Sequence, residues 1–224
     1  EHAIKHLEND KGFFLLVEAS QVDWAGHSND IAAAMAEMHD LNLALEYLVS
    51  YVEEHPDTLV VLTADHSTGG LAIGARGEYR WAPEWLQNLK QSPATIAQNI
   101  SEGDSPVTYV SDALGFELNE KESQQVVELA KQDDLKARFA GIKALLDIRS
   151  NTGWTTTGHT GIDVEVFAFG VGSNQFYGQY DNTDIAKKLF ALLPKSAAVV
   201  KTETISAPEE EKSQCDFETD WRCE

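Results

Sequence analysis

Acidic residues and histidines cluster at the ends of two apolar segments of the sequence. Glu18, Asp23 and His27 follow the run GFFLLV, and Asp65 with His66 follows TLVVLTA. Asp23 and His27 are four residues apart, so a helical turn would place both side chains on one face, about 5–6 Å apart at Cβ. A histidine with a carboxylate suits Zn²⁺, whereas a carboxylate such as Glu18 better suits Mg²⁺. The spacing therefore indicates a metal site, with room for a cluster of two or more ions.

Each of these residues also has a purely structural interpretation when it is taken alone. Asp23 is typical of a helix cap and His27 of a surface histidine, while Glu18 at the end of a buried strand needs a partner for its charge. The adjacent pair Asp65 and His66 is the stronger indication, because loops at strand ends carry function more often than cores do. Two such clusters on neighbouring strands together favour the metal site.

The segments that carry these clusters predict a βαβ unit. Residues 11–18 and 58–66 are apolar runs of strand length. Between them, residues 29–54 repeat apolar side chains every three or four positions, as one face of a helix does. A strand, a long helix and a second strand predict a right-handed crossover in a mostly parallel sheet. The carboxyl ends of parallel strands meet at one edge of a sheet, so the two clusters should lie close together.

His159 is the other histidine that we expect at this edge. It lies in SNTGWTTTGHTGID, directly before a predicted strand at 163–172. For His159 to reach the site, that strand must run antiparallel to the other two. The remaining histidines occupy polar helical settings and have no predicted ligand role: His2, His6, His39 and His55.

The rest of the chain divides into a helical insertion and a tail. Residues 82–149 have the pattern of short polar helices, and residues 181–193 that of one capped amphipathic helix. The sheet domain is expected to span residues 1–194, interrupted by the insertion at about 82–149. An acidic, aperiodic tail is expected at 195–224.

The composition excludes two classes of partner. The 224 residues include 37 acidic and 17 basic side chains, which give a net charge of −20. Such a surface repels nucleic acid and anionic membranes, and no apolar run approaches the roughly 20 residues of a membrane span. The acidic excess fits a solvated acidic surface and, equally, adaptation to high salt.

The two ends of the sequence carry further expectations. The opening EHAIKHLEND has no signal peptide and no initiator methionine, so we expect a chain that starts within a helix of a longer protein. Cys215 and Cys223 both lie in the tail, where a disulfide between them would require an oxidising compartment.

Three motifs in this order resemble those of the alkaline phosphatases: VEASQVDWAGH, TADH, and GHTG before a strand that ends in glycine. The resemblance covers about residues 1–80 and 150–194. It implies an α/β three-layer sandwich whose mostly parallel central sheet contains one antiparallel strand. It also implies metal ligands: Asp23, His27 and His159 for a first zinc, Asp65 and His66 for a second, and Glu18 for one magnesium.

The same resemblance implies an activity and a setting. Bacterial alkaline phosphatases are periplasmic or secreted homodimers that hydrolyse small phosphomonoesters through a phosphoserine intermediate. A marine or halophilic source would fit the acidic composition. A phosphodiesterase or phosphoglycerate mutase of the same superfamily is an alternative, and so is a metal-binding fragment without catalysis.

Two departures from the family pattern limit what this chain can do. Trp24 follows Asp23 where some relatives carry a lysine, so we expect weaker binding of the phosphate product. The nucleophile motif Asp-Ser-Ala is absent, and the SDA at 111–113 has the wrong order. The serine and the phosphate-binding arginine are therefore expected in an N-terminal half of the enzyme, and this fragment alone is expected to be inactive.

Overall fold

The computed structural model describes residues 1–101 and 105–193 as eight α-helices and four strands. The chain divides into two units, one that spans Glu1–Tyr180 and one that begins at Asp181. The helices are α1 (His2–Leu7), α2 (Ser20–His27), α3 (Ile31–Glu54), α4 (Pro93–Asn99), α5 (Pro106–Leu114), α6 (Glu120–Ala130), α7 (Leu135–Ser150) and α8 (Thr183–Leu192). The strands are β1 (Leu59–Thr63), β2 (Ser67–Thr68), β3 (His159–Thr160) and β4 (Val166–Gly170).

The strands form two antiparallel pairs. β1 pairs with β4, and Val61 lies opposite Ala168 in the register. β2 pairs with β3, and Thr68 lies opposite His159. The strand after His159 therefore runs antiparallel to β1, as the position of that histidine required. This direction brings the start of β4 and the end of β1 to the same edge.

The segment at 11–18, predicted as a parallel strand, forms no strand pairing within the described part of the chain. Phe14 is 55%, Leu16 82% and Val17 71% exposed, so three of the apolar residues of this segment lie at the surface, while Phe13 and Leu15 are half-buried. An extended segment becomes a strand when a neighbour accepts its backbone hydrogen bonds, and among these residues β1 is paired with β4 alone. The predicted parallel sheet is accordingly not seen within residues 1–101 and 105–193.

The long helix α3 begins where a buried carboxylate caps it. Asp30 is 4% exposed, and one of its carboxylate oxygens accepts hydrogen bonds from the backbone N–H groups of Ala32 and Ala33, both at 3.1 Å. Burial raises the pKa of this carboxyl, and the two N–H donors oppose that rise. The helix ends at Glu54, two residues before Pro56, as the sequence predicts.

The large apolar core belongs to the helical segment between β2 and β3. Helices α4 to α7 pack their apolar faces together, and Ile31 at the start of α3 joins them. Its fully buried aliphatic residues include Ile96, Val110, Leu114, Val126, Ile142, Leu145 and Leu146. The segment is thus a packed unit with its own core, rather than a set of surface helices.

The two ends of this helical segment meet at a narrow neck. The Ala82 N–H donates to the Ser150 carbonyl at 2.8 Å, and Trp81 Nε1 donates to Thr152 Oγ1 at 3.0 Å. Asn151 adopts a left-handed conformation after α7 and donates its amide to the Arg80 carbonyl at 2.7 Å. The chain therefore leaves and re-enters the sheet region at nearly the same place.

An ion pair fastens α6 to α7 inside this segment. The Arg149 guanidinium donates to both carboxylate oxygens of Glu122, at 2.6 and 2.5 Å. It also lies over the rings of Trp85 and Phe116, 4.5 and 5.1 Å from their centroids. The Glu122 carboxylate accepts the Asn119 N–H at 2.8 Å and completes a capping box at the start of α6.

The second unit contributes α8 among the residues described. Asp181, the residue before the N-cap Asn182, accepts the Thr183 hydroxyl and N–H at 2.7 and 3.0 Å. The predicted tail at 195–224, with Cys215 and Cys223, lies outside the described residues. None of the helices that the structure describes is long and apolar enough to cross a membrane.

Candidate metal centre

The helix α2 supplies two of the predicted ligands from one turn. Asp23 Oδ2 and His27 Nε2 lie 3.4 Å apart, and both side chains are largely covered. α2 is held close to β2 because Gly26 has no side chain: a Cβ there would meet Thr68 Cβ at 3.0 Å. The predicted geometry of residues 23 and 27 on one helical face is therefore what the structure contains.

His159 completes a group of three from the far side of the chain. Its Nε2 lies 3.2 Å from Nε2 of His27, although 132 residues separate them in sequence. One ligand atom from each of Asp23, His27 and His159 lies within 4.8 Å of the others. The β2–β3 register positions His159, because it places this residue directly opposite Thr68.

Two of the three separations within this group match those between the ligands of a zinc ion. Bonds of about 2.0–2.1 Å in a tetrahedral arrangement place neighbouring ligand atoms about 3.3–3.4 Å apart. The separations between His27 Nε2 and its two neighbours are 3.2 and 3.4 Å. Two imidazole nitrogens and one carboxylate oxygen are also the donor types that zinc prefers.

The tautomer of His27 is fixed from outside the group. Its Nδ1 lies 2.6 Å from the backbone carbonyl of Thr157, which can only accept a hydrogen bond. Nδ1 therefore carries the proton, and the Nε2 lone pair faces Asp23 and His159. A carbonyl behind a histidine ligand is the usual way in which proteins orient a metal-binding imidazole.

Asp65 and His66 lie directly beside this first group. Asp65 Oδ2 is 3.3 Å from His66 Nε2, and the His66 ring stacks on His159 with centroids 3.5 Å apart. His66 Nδ1 is 3.9 Å from Asp23 Oδ1. The structure thus brings together five of the six residues that were predicted from the sequence as metal ligands. They form a group of three and an adjoining pair.

Glu18, the sixth predicted ligand, lies outside the group of three among the described residues. It is exposed on the extended segment before α2. Across the described ranges, no hydrogen bond or ion pair joins its carboxylate to another side chain. Its assignment as a magnesium ligand stays a prediction.

Thr68 is a residue of the site that the sequence reasoning missed. Its hydroxyl donates to Asp23 Oδ1 and lies 3.1 Å from His66 Nδ1. The one feature of the sequence that pointed to Thr68 was its position two residues after His66 and directly before the glycine pair 69–70. A threonine in a loop has many other uses, so that signal is weak.

The serine in the SDA sequence has a structural use. Ser111 donates its hydroxyl to the Phe116 carbonyl at 2.6 Å, at the end of α5. It belongs to the helical segment, whose core is formed by α4 to α7. That 111–113 is not a nucleophile motif stays a prediction.

Comparison with known proteins shows that this chain is similar to alkaline phosphatases. The sequence profile described as "Alkaline phosphatase" matches residues 1–194. The chain is 46% identical over 196 residues to alkaline phosphatase 3 of Bacillus subtilis (strain 168), which covers 85% of this chain and 42% of that protein. It is 40% identical over 186 residues to alkaline phosphatase 4 of the same organism, covering 83% and 40%.

Solved structures give the same result. The crystal structure of a cold-active alkaline phosphatase from the psychrophile Shewanella sp. aligns with a TM-score of 0.80 at 50% identity, covering 84% of this chain and 47% of that one. The chain therefore spans less than half the length of these relatives.

Proposed function

Because the chain belongs to the alkaline phosphatase family, we propose that the protein containing it hydrolyses phosphomonoesters. The proposed site holds two zinc ions and one magnesium ion. The observation that supports it best is the convergence of Asp23, His27 and His159, whose ligand atoms lie within 4.8 Å of one another. Asp65 and His66, beside that group, are proposed for the second zinc, and Glu18 for the magnesium.

The residues of this chain would hold the metal ions and orient the side chains that bind them. When bound, the metals would supply Lewis-acid stabilisation of charge on the phosphate and on the oxygens that enter and leave. Thr157 keeps the proton of His27 on Nδ1, so that Nε2 remains a lone-pair donor. The side chains of Asp23 and His27 are 34% and 16% exposed, so this half of the site is partly shielded from water.

The serine that forms the phosphoserine intermediate is proposed in an N-terminal half of the same enzyme. Exposed apolar residues support the packing of a further segment on residues 11–18 and on α3. They are Leu16 and Val17 on the extended segment, and Met35 and Met38 on α3. Packed on that side, residues 11–18 would join a mostly parallel sheet in a three-layer sandwich. We propose that residues 1–194 form the C-terminal part of this catalytic domain, with the helical insertion at about 82–149.

The complete enzyme is proposed to be a periplasmic or secreted homodimer that acts on small phosphomonoesters. This chain alone is proposed to lack activity, since the nucleophile lies elsewhere. Trp24, which is 41% exposed beside Asp23, offers no charge to a phosphate. We therefore expect the product to be released more readily than in relatives with a lysine at this position.

The test is hydrolysis of a chromogenic phosphomonoester by the complete protein, before and after removal of zinc. We expect activity that a chelator abolishes and zinc restores. Asp23→Asn and His159→Ala should reduce kcat/KM at least about 100-fold, because each removes a direct ligand. His6→Ala, at an exposed histidine on α1, is the control and should leave activity unchanged.

Two results would contradict this proposal. Comparable rates on a phosphodiester and a phosphomonoester would favour the related phosphodiesterases. Zinc binding without release of phosphate would favour a catalytically inert metal-binding protein.

A further inference from the structure

Thr68 touches both groups of the candidate metal centre. Its hydroxyl donates to Asp23 Oδ1, a carboxylate of the first group. The same oxygen lies 3.1 Å from Nδ1 of His66, which belongs to the second. Because the hydroxyl proton is directed at the carboxylate, the oxygen presents lone pairs to the imidazole. His66 must therefore donate its Nδ1–H to Thr68.

We propose that Thr68 is a positioning residue that couples the two zinc sites through this chain of hydrogen bonds. The inference rests on the proposed function, because it assumes that both groups bind zinc. The hydrogen bond at Nδ1 keeps the His66 Nε2 lone pair on the side of Asp65, which lies 3.3 Å away. The hydrogen bond at Asp23 Oδ1 leaves Oδ2 directed towards His27, 3.4 Å away.

The coupling follows from the polarity of the chain of donors. A cation at His66 Nε2 withdraws charge from the ring and makes Nδ1–H a stronger donor. Thr68 then becomes a stronger donor to Asp23, which holds that carboxylate in the orientation that the first ion needs. Filling one site thus changes the affinity of the other, and thermodynamic linkage makes the effect reciprocal.

The surrounding structure holds Thr68 in one place. It pairs with His159 across the β2–β3 ladder, and Gly69 N–H donates to the Gly158 carbonyl at 2.9 Å. On the other side, Gly26 of α2 lies so close that a Cβ there would be 3.1 Å from Thr68 Cγ2. The hydroxyl orientation is therefore set by packing as well as by its two partners.

A matched pair of substitutions separates the hydroxyl from the shape of the side chain. Thr68→Val keeps the branched shape that contacts Gly26 and removes the hydroxyl. Thr68→Ser keeps the hydroxyl and removes the methyl group. Thr160→Val is the control, since it makes the same change in the same ladder and its hydroxyl bonds Ser67 Oγ at 2.8 Å.

The measurement is zinc affinity of the complete, metal-free protein, by competition with a chromophoric chelator. In Thr68→Val we expect both zinc affinities to fall by about 10–100-fold, the usual effect of removing a hydrogen bond behind a ligand. The dependence of each zinc affinity on the occupancy of the other site should change as well. Thr68→Ser and Thr160→Val should bind zinc like the wild type, and thermal unfolding of the metal-free proteins should be similar in all four.

The outcomes that overturn the inference differ from those that overturn the proposed function. Wild-type affinity and cooperativity in Thr68→Val would overturn the coupling role alone. An equal loss in Thr68→Val and Thr68→Ser, or in Thr160→Val, would also overturn it, because packing would then explain the effect. A wild-type protein that takes up no zinc would overturn the proposed function, and the inference with it.

Discussion

The ion pair between Glu122 and Arg149 offers a direct test of what stabilises the helical segment. Glu122→Gln removes the carboxylate charge and keeps the size of the side chain. It leaves the Arg149 guanidinium between Trp85 and Phe116 without its anionic partner. The two side chains are 10% and 18% exposed, so water can replace little of what is lost.

The expected magnitude lies between two limits. Removing one partner of a fully buried ion pair costs about 3–5 kcal/mol, and an exposed pair contributes about 0–1 kcal/mol. The pair is mostly covered, and the cation keeps its contacts with two rings, so we expect a loss of about 2–3 kcal/mol. That loss corresponds to about a 30- to 150-fold increase in the open population of the helical segment.

Hydrogen–deuterium exchange of the α6 and α7 amides measures this population directly. The matched control is Glu128→Gln, the same substitution on the same helix, which removes an exposed pair with Lys131 at 2.7 Å. We expect less than about 0.5 kcal/mol from the control. Equal exchange rates in the two variants would refute the argument that coverage of the Glu122 pair determines its contribution.

The pH dependence gives a second check on the same pair. Hydrogen bonding to Arg149 lowers the pKa of the Glu122 carboxyl from its usual 4.5. Stability from a lowered carboxyl pKa is present above 4.5 and is lost as the pH falls through the folded-state value. The difference between wild type and Glu122→Gln should therefore shrink in acid.

Two further substitutions test other parts of the structure. Burial raises the pKa of Asp147 to about 6, so its stabilising contribution is present below 3.8 and lost as the pH rises through 6. Asp147→Asn can still accept the Trp154 Nε1–H and should be more stable than wild type by about 1 kcal/mol at pH 8, after solvent screening. In thermal unfolding, this advantage should disappear towards pH 4; an equal advantage at both pH values would contradict it. Gly26→Ala should stabilise α2 by about 1 kcal/mol through helix propensity, but its methyl group should displace Thr68. These effects oppose each other, so the metal-free protein should stay as stable while its zinc affinity falls several-fold. An unchanged zinc affinity would show that Thr68 tolerates the displacement.

The convergence of Asp23, His27 and His159 could be predicted from the sequence because its signals were local. Asp23 and His27 are one helical turn apart, and any helix through them brings their side chains together. His159 was placed by a topological requirement, and the antiparallel register of β1 with β4 satisfies it. Both arguments used constraints that a few residues determine by themselves.

Other features depend on neighbours that a local pattern does not reveal. The segment 11–18 has the composition of a buried strand, yet pairing depends on a partner strand, and none among the described residues provides one. Thr68 looks like any loop threonine until folding brings Asp23 and His66 to it. The insertion was predicted from polar helical patterns, but its internal core depends on how α4 to α7 pack against one another.

The neck at Trp81 and Thr152 has a consequence for the order in which the protein folds. His27 and His159 are 132 residues apart, and closing the neck removes 71 of them from the intervening chain, about half. Halving a loop lowers the entropic cost of closing it by only about 0.6 kcal/mol, so chain entropy alone does not determine whether the helical segment folds first. The contacts within the helical segment are more local than the contact between His27 and His159, which favours earlier formation of the segment. His159 would then reach Asp23 and His27 only after the neck has closed, which would make the proposed binding of zinc a late event.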